Sequence, residues 1–182
     1  MSRKNFFLLT AFGKDRPGIV AGVTRVLYDL GANIEDASMT RLGGEFTMML
    51  ISALPATVTA AKLEKGLQSL QKKLGIQTSS KAIPAAIGAH AIGESPKFLI
   101  SVYGTDHPGI VYRVVDALAK RKVSITDLQT KVTSGTKPAY VMLLEIQVPT
   151  STDMDDLRGD LDQLRQDLKV EISLQDIEAI PL

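Results

Sequence analysis

The hydrophobic and polar positions of this chain follow the same order of segments twice. In the first half, an apolar, β-prone run over residues 6–12 precedes a segment with helical spacing and two strand-like segments. Leucines with the spacing of one helix face then occupy 63–74, and a short strand pattern follows over 76–83. The pattern predicts the order strand, helix, strand, strand, helix, strand.

The second half repeats this order between residues 98 and 177. The sequence Asp-x-Pro-Gly-Ile-Val begins at Asp15 and again at Asp106, an offset of 91 (106 − 15). A long internal repeat indicates two copies of one structural unit. We therefore predict an α+β fold of two tandem βαββαβ (ferredoxin-like) modules, each a four-stranded antiparallel sheet with two helices on one face. The predicted domains are 1–83 and 97–182, joined by a linker over 84–96.

Local signals refine these modules. Proline is favoured at the first position of a helix, so the first helix is predicted to start at Pro17. Gly43-Gly44 predicts a tight hairpin turn between the second and third strands. The alternation of apolar residues changes parity after Ile34 and again after Ile125, which predicts a β-bulge or a strong bend in each copy.

Composition narrows the possible functions. The chain has 182 residues, a net charge of +1 and no Cys, so disulfides, thiolate metal sites and Cys nucleophiles are excluded. Charges of both signs are interleaved, so no direct nucleic-acid binding is expected. Apolar runs are too short for a membrane span or a signal peptide, and a cytoplasmic location is expected.

An enzyme is the rival class of function. Only two histidines, His90 and His107, are present, so neither a metal site nor a catalytic residue is expected. A P-loop, a dinucleotide fingerprint and a G-x-S-x-G motif are all missing, so no cofactor is expected. The second module ends close to Leu182, which leaves no room for a catalytic domain. We expect a protein that is not an enzyme.

The loop between the first strand and the first helix carries the candidate chemistry. Backbone N–H groups of Gly18 and Ile19 are expected in the first helical turn, where they lack intrahelical partners and suit a carboxylate or phosphate. Asp15 could hold an ammonium group or brace the loop. Asp, Pro and Gly are also ordinary turn residues, so a purely structural loop is the alternative.

The next strand begins at Asn33 and, in the second copy, at Ser124. If this strand runs beside the first strand, both polar side chains lie near the Pro-Gly loop and can hydrogen-bond a ligand.

With Asp-x-Pro-Gly-Ile-Val in the first loop of each repeat, and Asn-Ile-x-Asp (Ser-Ile-x-Asp in the second copy) opening the second strand, both repeats resemble the ACT domain, a family of small-molecule regulatory modules. The resemblance implies that an amino acid binds between modules, at the first loop and the start of the second strand. The implied ligand-contacting residues are Asp15, Gly18, Ile19, Asn33 and Ile34, and in the second copy Asp106, Gly109, Ile110, Ser124 and Ile125.

The segment 33–48 resembles most closely the glycine cleavage system transcriptional repressor group. This resemblance implies a transcriptional repressor that responds to glycine and acts through a protein partner, a DNA-binding activator. We expect a homodimer, with glycine or serine as the ligand. Ser124 stands in place of Asn33 and His107 in place of Arg16, so the two sites are expected to differ. An adaptor without a ligand and a regulatory subunit of an amino-acid metabolic enzyme are the alternatives.

Overall fold

The computed structural model describes residues 4–85, 96–134 and 138–177. The chain forms two compact units, residues 1–92 and 93–182. Most of the predicted linker over 84–96 lies outside the described residues, so the domain boundaries stay a prediction.

Each unit has the predicted βαββαβ order. The elements of the first unit are β1 (Lys4–Lys14), α1 (Ile19–Asp29), β2 (Asn33–Leu42), β3 (Glu45–Pro55), α2 (Ala60–Leu74) and β4 (Gln77–Ile83). Those of the second are β5 (Lys97–Gly104), α3 (Ile110–Lys120), β6 (Ser124–Val132), β7 (Tyr140–Gln147), α4 (Met154–Leu168) and β8 (Glu171–Asp176). The strand orders are β2-β3-β1-β4 and β6-β7-β5-β8, and all neighbours are antiparallel. The predicted α+β fold is confirmed.

The core of each unit lies between one face of the sheet and its two helices. Alternate residues of the central strands, such as Leu9 and Leu50, are buried against helix residues such as Val23 and Leu63. The second unit repeats this arrangement. The alternate apolar side chains of the strands and the leucines on one face of each helix therefore point into the same core.

The predicted bulges are confirmed, because the pairing register shifts between Ile34 and Asp36 and between Ile125 and Asp127. Gly43 and Gly44 have φ values of 60° and 86°, as a type I′ hairpin turn requires. The corresponding turn of the second unit, between β6 and β7, lies partly outside the described residues.

The predicted start of the first helix at Pro17 is wrong. Gly18 has φ 95° and ψ −8°, close to the third position of a type II turn, and α1 begins at Ile19. Proline suits the second position of that turn as well as a helix start, so the sequence pattern did not separate the two. Gly109 has the same conformation, φ 101° and ψ −11°, directly before α3.

Candidate functional site

The loop between β1 and α1 forms one side of a cleft of about 350 Å³. The structure brings together three of the predicted residues there, Asp15, Gly18 and Ile19. The other lining residues are Arg16, Pro17, Val20, Met39, Arg41 and Phe46. Met39 and Arg41 come from the end of β2, and sequence reasoning missed them because nothing local shows that this strand end approaches the loop.

Asp15 is held in place by two contacts. Its backbone N–H donates to the carbonyl oxygen of Gly44 at 2.9 Å, and its carboxylate accepts a hydrogen bond from Arg41 Nη1 at 3.2 Å. The Asp15 side chain is 30% exposed. In the first unit Asp15 therefore braces the loop against the β2–β3 hairpin, which is one of the two roles that the sequence left open.

The helix after each loop starts without a side-chain cap. The residues at the N-cap positions are Gly18 and Gly109, which have no side chain to accept a hydrogen bond from the N–H groups of the first turn of α1 or α3. These N–H groups and the helix dipole give each loop a partial positive charge. A Cβ built on either glycine would meet nothing within 4 Å, so the backbone is open to an approaching group.

The residue before each proline anchors its loop to the second helix of the unit. Arg16 donates to the carbonyl oxygen of Lys73 at 3.4 Å, and His107 Nε2 lies 3.0 Å from the carbonyl oxygen of Leu168. The Leu168 carbonyl, followed by that of Pro108, raises the pKa of His107 because both favour the protonated ring. The exchange of Arg for His thus preserves a side-chain contact with a carbonyl oxygen at the C-terminus of the second helix.

The second loop differs from the first in two facing positions. Tyr140 pairs with Gly104 in the sheet, as Phe46 pairs with Gly13. Val132 pairs with Tyr140, as Arg41 pairs with Phe46. Tyr140 is buried, and burial, followed by the charge of Asp106, raises the pKa of its hydroxyl. In the sequence, Tyr140 stood out only as one of the alternating apolar residues of its strand, and nothing there indicated that it lies near Asp106.

Asn33 and Ile34 do not join the loop residues of their own unit. We predicted proximity on the condition that β2 runs beside β1, and that condition is wrong, because β3 lies between them. Through β3, Asn33 aligns with Phe6 at the start of β1, whereas the loop follows Lys14. At about 3.3 Å per residue, the two ends are roughly 26 Å apart. Instead, Asn33 Nδ2 donates to Glu35 Oε1 at 3.1 Å.

The second unit shows the same separation. Ser124 aligns through Gln147 with Lys97, at the start of β5, while Asp106, Gly109 and Ile110 follow its end. Ser124 and Ile125 are therefore far from the loop of their own unit, for the same topological reason.

The strands that carry Asn33 and Ser124 are sheet edges. β2 and β6 are terminal in the two strand orders, and all of their residues are exposed. An exposed edge presents unpaired backbone N–H and C=O groups that can pair with another strand.

A second cleft, of about 410 Å³, lies between α3 and α4. Its charged residues pair with one another, as in the Arg113–Asp167 ion pair at 2.5 Å and the Lys120–Asp116 pair at 2.8 Å. The pKa of Asp167 is lowered by its hydrogen bond from Arg113. Because these charges satisfy each other, this cleft offers few free groups to a ligand.

Within residues 4–85, 96–134 and 138–177, no group of three or more His, Cys, Asp or Glu residues is placed to hold a metal ion. In the same ranges, no helix has both the length and the apolar character to cross a membrane.

Two repeated βαββαβ units, each with a Pro-Gly loop opening onto a helix N-terminus, define a tandem module of the ferredoxin-like class. The ACT domain profile matches residues 5–81 and 97–175, and the chain belongs to the ACT domain family. This confirms the family resemblance read from the sequence.

Relatives of two kinds match parts of the chain. A UPF0237 protein of Methanopyrus kandleri is 46% identical over 70 residues, which is 38% of this chain and 78% of the relative. The glycine cleavage system transcriptional repressor of Escherichia coli is 43% identical over 51 residues, 28% of this chain and 27% of the repressor. The chain is thus an ACT-domain protein related to that repressor and to the UPF0237 proteins.

Solved structures share the fold over nearly the whole length. A protein of unknown function from Galdieria sulphuraria superposes with a TM-score of 0.83 at 24% identity, over 97% of this chain and 100% of that one. A structure assigned to the glycine cleavage system transcriptional repressors gives a TM-score of 0.74 at 23% identity, over 97% and 99% of the two chains. At these identities the likeness shows the tandem fold alone.

Proposed function

We propose that this protein is a non-enzymatic cytoplasmic regulator that senses a small amino acid, with glycine and serine as the first candidates. The observation that carries the proposal is the pairing of opposite charges at each Pro-Gly loop. An uncapped helix N-terminus offers N–H groups to a carboxylate, and an acidic residue, Asp15 or Asp106, lies three residues before the glycine. A zwitterionic amino acid carries the complementary charges over a few ångströms.

The exposed β2 edge supports a homodimer that completes the site. In a two-fold dimer, two copies of one edge strand pair antiparallel, so the start of each strand lies beside the end of the other. Asn33 of one copy would then approach the Met39–Arg41 end of β2 in the partner copy, next to the Pro-Gly loop. This assembly would reunite the predicted site residues that a single unit keeps apart.

The relation to the glycine cleavage repressor supports a role in transcription. We propose that the protein regulates glycine cleavage genes through a protein partner such as a DNA-binding activator, because its net charge of +1 gives no general attraction to DNA. In cells lacking this gene, a reporter driven by a glycine cleavage promoter should lose its response to added glycine. An unchanged response would contradict this role.

Ligand binding is tested by thermal shift with the purified chain and each of the twenty amino acids. At about 100 times the dissociation constant, a true ligand stabilises the folded state by about 2.7 kcal/mol. A selective rise in melting temperature supports a sensor. No rise with any amino acid at millimolar concentration would refute sensing and would favour the adaptor that works without a ligand.

Dimerisation is tested by sedimentation with a charge placed on each edge of the first sheet. Ser38→Lys introduces two like charges across a β2–β2 pairing and should shift the protein towards monomer. Ser79→Lys, on the exposed opposite edge strand β4, is the matched control. A dimer that withstands Ser38→Lys but dissociates with Ser79→Lys would place the interface on β4.

A further inference from the structure

The net charge of +1 conceals two units of opposite charge. Residues 1–92 contain 11 Lys and Arg residues against 6 Asp and Glu, a net charge of +5. Residues 93–182 contain 10 Lys and Arg residues against 14 Asp and Glu, a net charge of −4. Such an asymmetry between the halves of a chain is typical of proteins that bind a charged partner. The first unit is the half that would attract an anion.

The second helix of the first unit gathers positive charge on one side. Its four lysines, Lys62, Lys65, Lys72 and Lys73, are all exposed. At 3.6 residues per turn they fall within an arc of about 100°, on the side turned away from the buried leucines. Glu64, the one acidic residue of α2, lies outside this arc. These four residues form the lysine face, which carries charge of one sign although both signs are interleaved along the chain.

The helix dipole accounts for only half of the lysine face. Lys72 and Lys73 lie in the last turn of α2, where a positive charge is favourable. Lys62 lies in the first turn, where the dipole disfavours a cation. Lys65 follows three residues later, so it is a neighbour of Lys62 on the helix surface and the two charges repel. An anion bound from outside would offset both costs.

The equivalent helix of the second unit uses its charges internally. The leucines of α2 and α4 align with an offset of 94 (157 − 63), so Lys62 corresponds to Asp156. Arg121, at the end of α3, binds the Asp156 carboxylate at 3.0 Å. The first unit has Leu30 at the position of Arg121, 91 residues earlier (121 − 30), and therefore no charge in the matching place. The lysine face is thus left for a partner outside the unit.

Arg16 extends the lysine face at the C-terminal end of α2. Its guanidinium is exposed and donates to the Lys73 carbonyl oxygen at 3.4 Å. From Lys62 to Lys73 the face runs for about 16 Å along the helix. One strand of duplex DNA carries a phosphate for about every 3.4 Å of its axis, so roughly five phosphates span the same length.

The chemistry of the lysine face favours a phosphate backbone over a protein or a membrane. In α2, which the structure describes throughout, no large apolar side chain is exposed. The centres of protein–protein interfaces are depleted in Lys and enriched in aromatic residues, and a helix that lies on a membrane buries an apolar face. Interfaces with DNA are more polar and much more positively charged.

We propose that the lysine face of α2, together with Arg16, binds the phosphate backbone of duplex DNA. The lysines contact phosphates as point charges, so the binding carries no sequence information. Because the whole chain has a net charge of only +1, the attraction is confined to this face and is weak. The inference rests on the proposed role in transcription, in which a protein partner selects the promoter and the lysine face adds contacts to the DNA beside it.

The test is fluorescence anisotropy with the full chain and labelled duplexes of about 30 base pairs in two unrelated sequences. Both sequences should bind with the same affinity. With four to five phosphate contacts, that affinity should fall roughly 150- to 500-fold between about 50 and 200 mM salt. Removing two lysines of the face should leave a fall of only about 12- to 40-fold over the same range.

A matched pair of double variants separates the lysine face from net charge. Lys65→Gln with Lys72→Gln removes two lysines of the face, and Gln keeps the helix propensity of Lys. Lys81→Gln with Lys131→Gln removes the same charge elsewhere. Lys81 pairs with Leu8 between two core positions of β1, so it lies on the sheet face away from the helices, and Lys131 belongs to the second unit. The control should keep the salt dependence of the wild type, and both variants should keep its unfolding temperature.

Three results would overturn the inference. The first is an equal loss of binding in the two double variants, because net charge alone would then set the attraction. The second is binding of one DNA sequence only. The third is the absence of DNA binding, whether or not vesicles of phosphatidylglycerol and phosphatidylcholine are bound instead.

Failure here is distinguishable from failure of the proposed role in transcription. A reporter that loses its glycine response in cells lacking the gene, beside a purified chain that binds no DNA, overturns this inference and supports that role. A purified chain that binds DNA through the lysine face, beside an unchanged reporter response, supports this inference and refutes that role.

Discussion

Replacing Gly18 by Ala isolates one physical cause, the left-handed backbone that the Pro-Gly turn requires. Gly18 has φ 95°, and a Cβ there would meet nothing within 4 Å, so the substitution creates strain without a clash. Holding a non-glycine residue in a sparsely populated region costs about 1–3 kcal/mol. Alanine also lowers the conformational entropy of the unfolded chain, which offsets about 0.4–1 kcal/mol of this loss. We expect a net loss of about 1–2 kcal/mol from the first unit.

The assay is denaturant and thermal unfolding of the full chain, with Gly159→Ala as the control. Gly159 is exposed inside α4, has no positive φ and also has open space around its Cβ. Ala is the better helix former, so this control should gain about 0.5–1 kcal/mol. A change of 1 kcal/mol moves the melting temperature of a unit this size by about 4–8 °C. The two glycine substitutions should therefore shift unfolding in opposite directions.

A Gly18→Ala protein as stable as wild type, beside a stabilised Gly159→Ala protein, would refute the reasoning. The turn would then tolerate a side chain. In that case the approach of a ligand to the backbone, and not the φ value, would explain the glycine. Gly109→Ala, with φ 101° in the second unit, repeats the experiment independently.

Three further predictions concern stability. Hydrogen bonds to the Leu168 and Pro108 carbonyls raise the pKa of His107, so its stabilising contribution is full below the unfolded pKa of about 6.5 and is lost as pH rises through the higher folded pKa. Unfolding of the second unit should depend less on pH in His107→Gln, and identical pH profiles would contradict this. Gly104→Ala should cost about 1–3 kcal/mol in a denaturant titration, because its Cβ would lie 2.7 Å from Val170 Cγ1 and 3.2 Å from Val170 Cα. Arg41→Ala should lower stability by about 0–1 kcal/mol in the same titration, since its ion pair with Asp15 is exposed, and a larger loss would contradict this weak contribution.

The order of elements and the core could be read from the sequence because both follow from local periodicity. Apolar residues at every second position of a strand, or at every third or fourth position of a helix, lie on one face of that element. The bulges after Ile34 and Ile125 could also be predicted, because the alternation of apolar and polar residues changes parity there. The family resemblance depended on short motifs whose residues are adjacent in the chain.

The start of α1 was the local feature that the sequence left unresolved. Pro17-Gly18 suits both a type II turn and the first turn of a helix, because the fixed φ of proline fits each. In the folded chain the loop before α1 is tied to the β2–β3 turn by the hydrogen bond from the Asp15 N–H to the Gly44 carbonyl oxygen. The sequence around Pro17 does not indicate this contact, because Gly44 is distant along the chain.

The sequence by itself determined two βαββαβ modules and their cores, and it singled out the loop that we propose as the ligand site. Tertiary structure alone decided which residues meet at that loop. Strand order is set by pairing between distant segments, so it placed Arg41 beside Asp15 and moved Asn33 to the opposite end of the sheet. It also paired Tyr140 with Gly104 and buried its hydroxyl, which has no hydrogen-bond partner among the residues that the structure describes. Local periodicity identifies a buried face, but the partner of a buried polar group depends on neighbours that only the folded chain brings together.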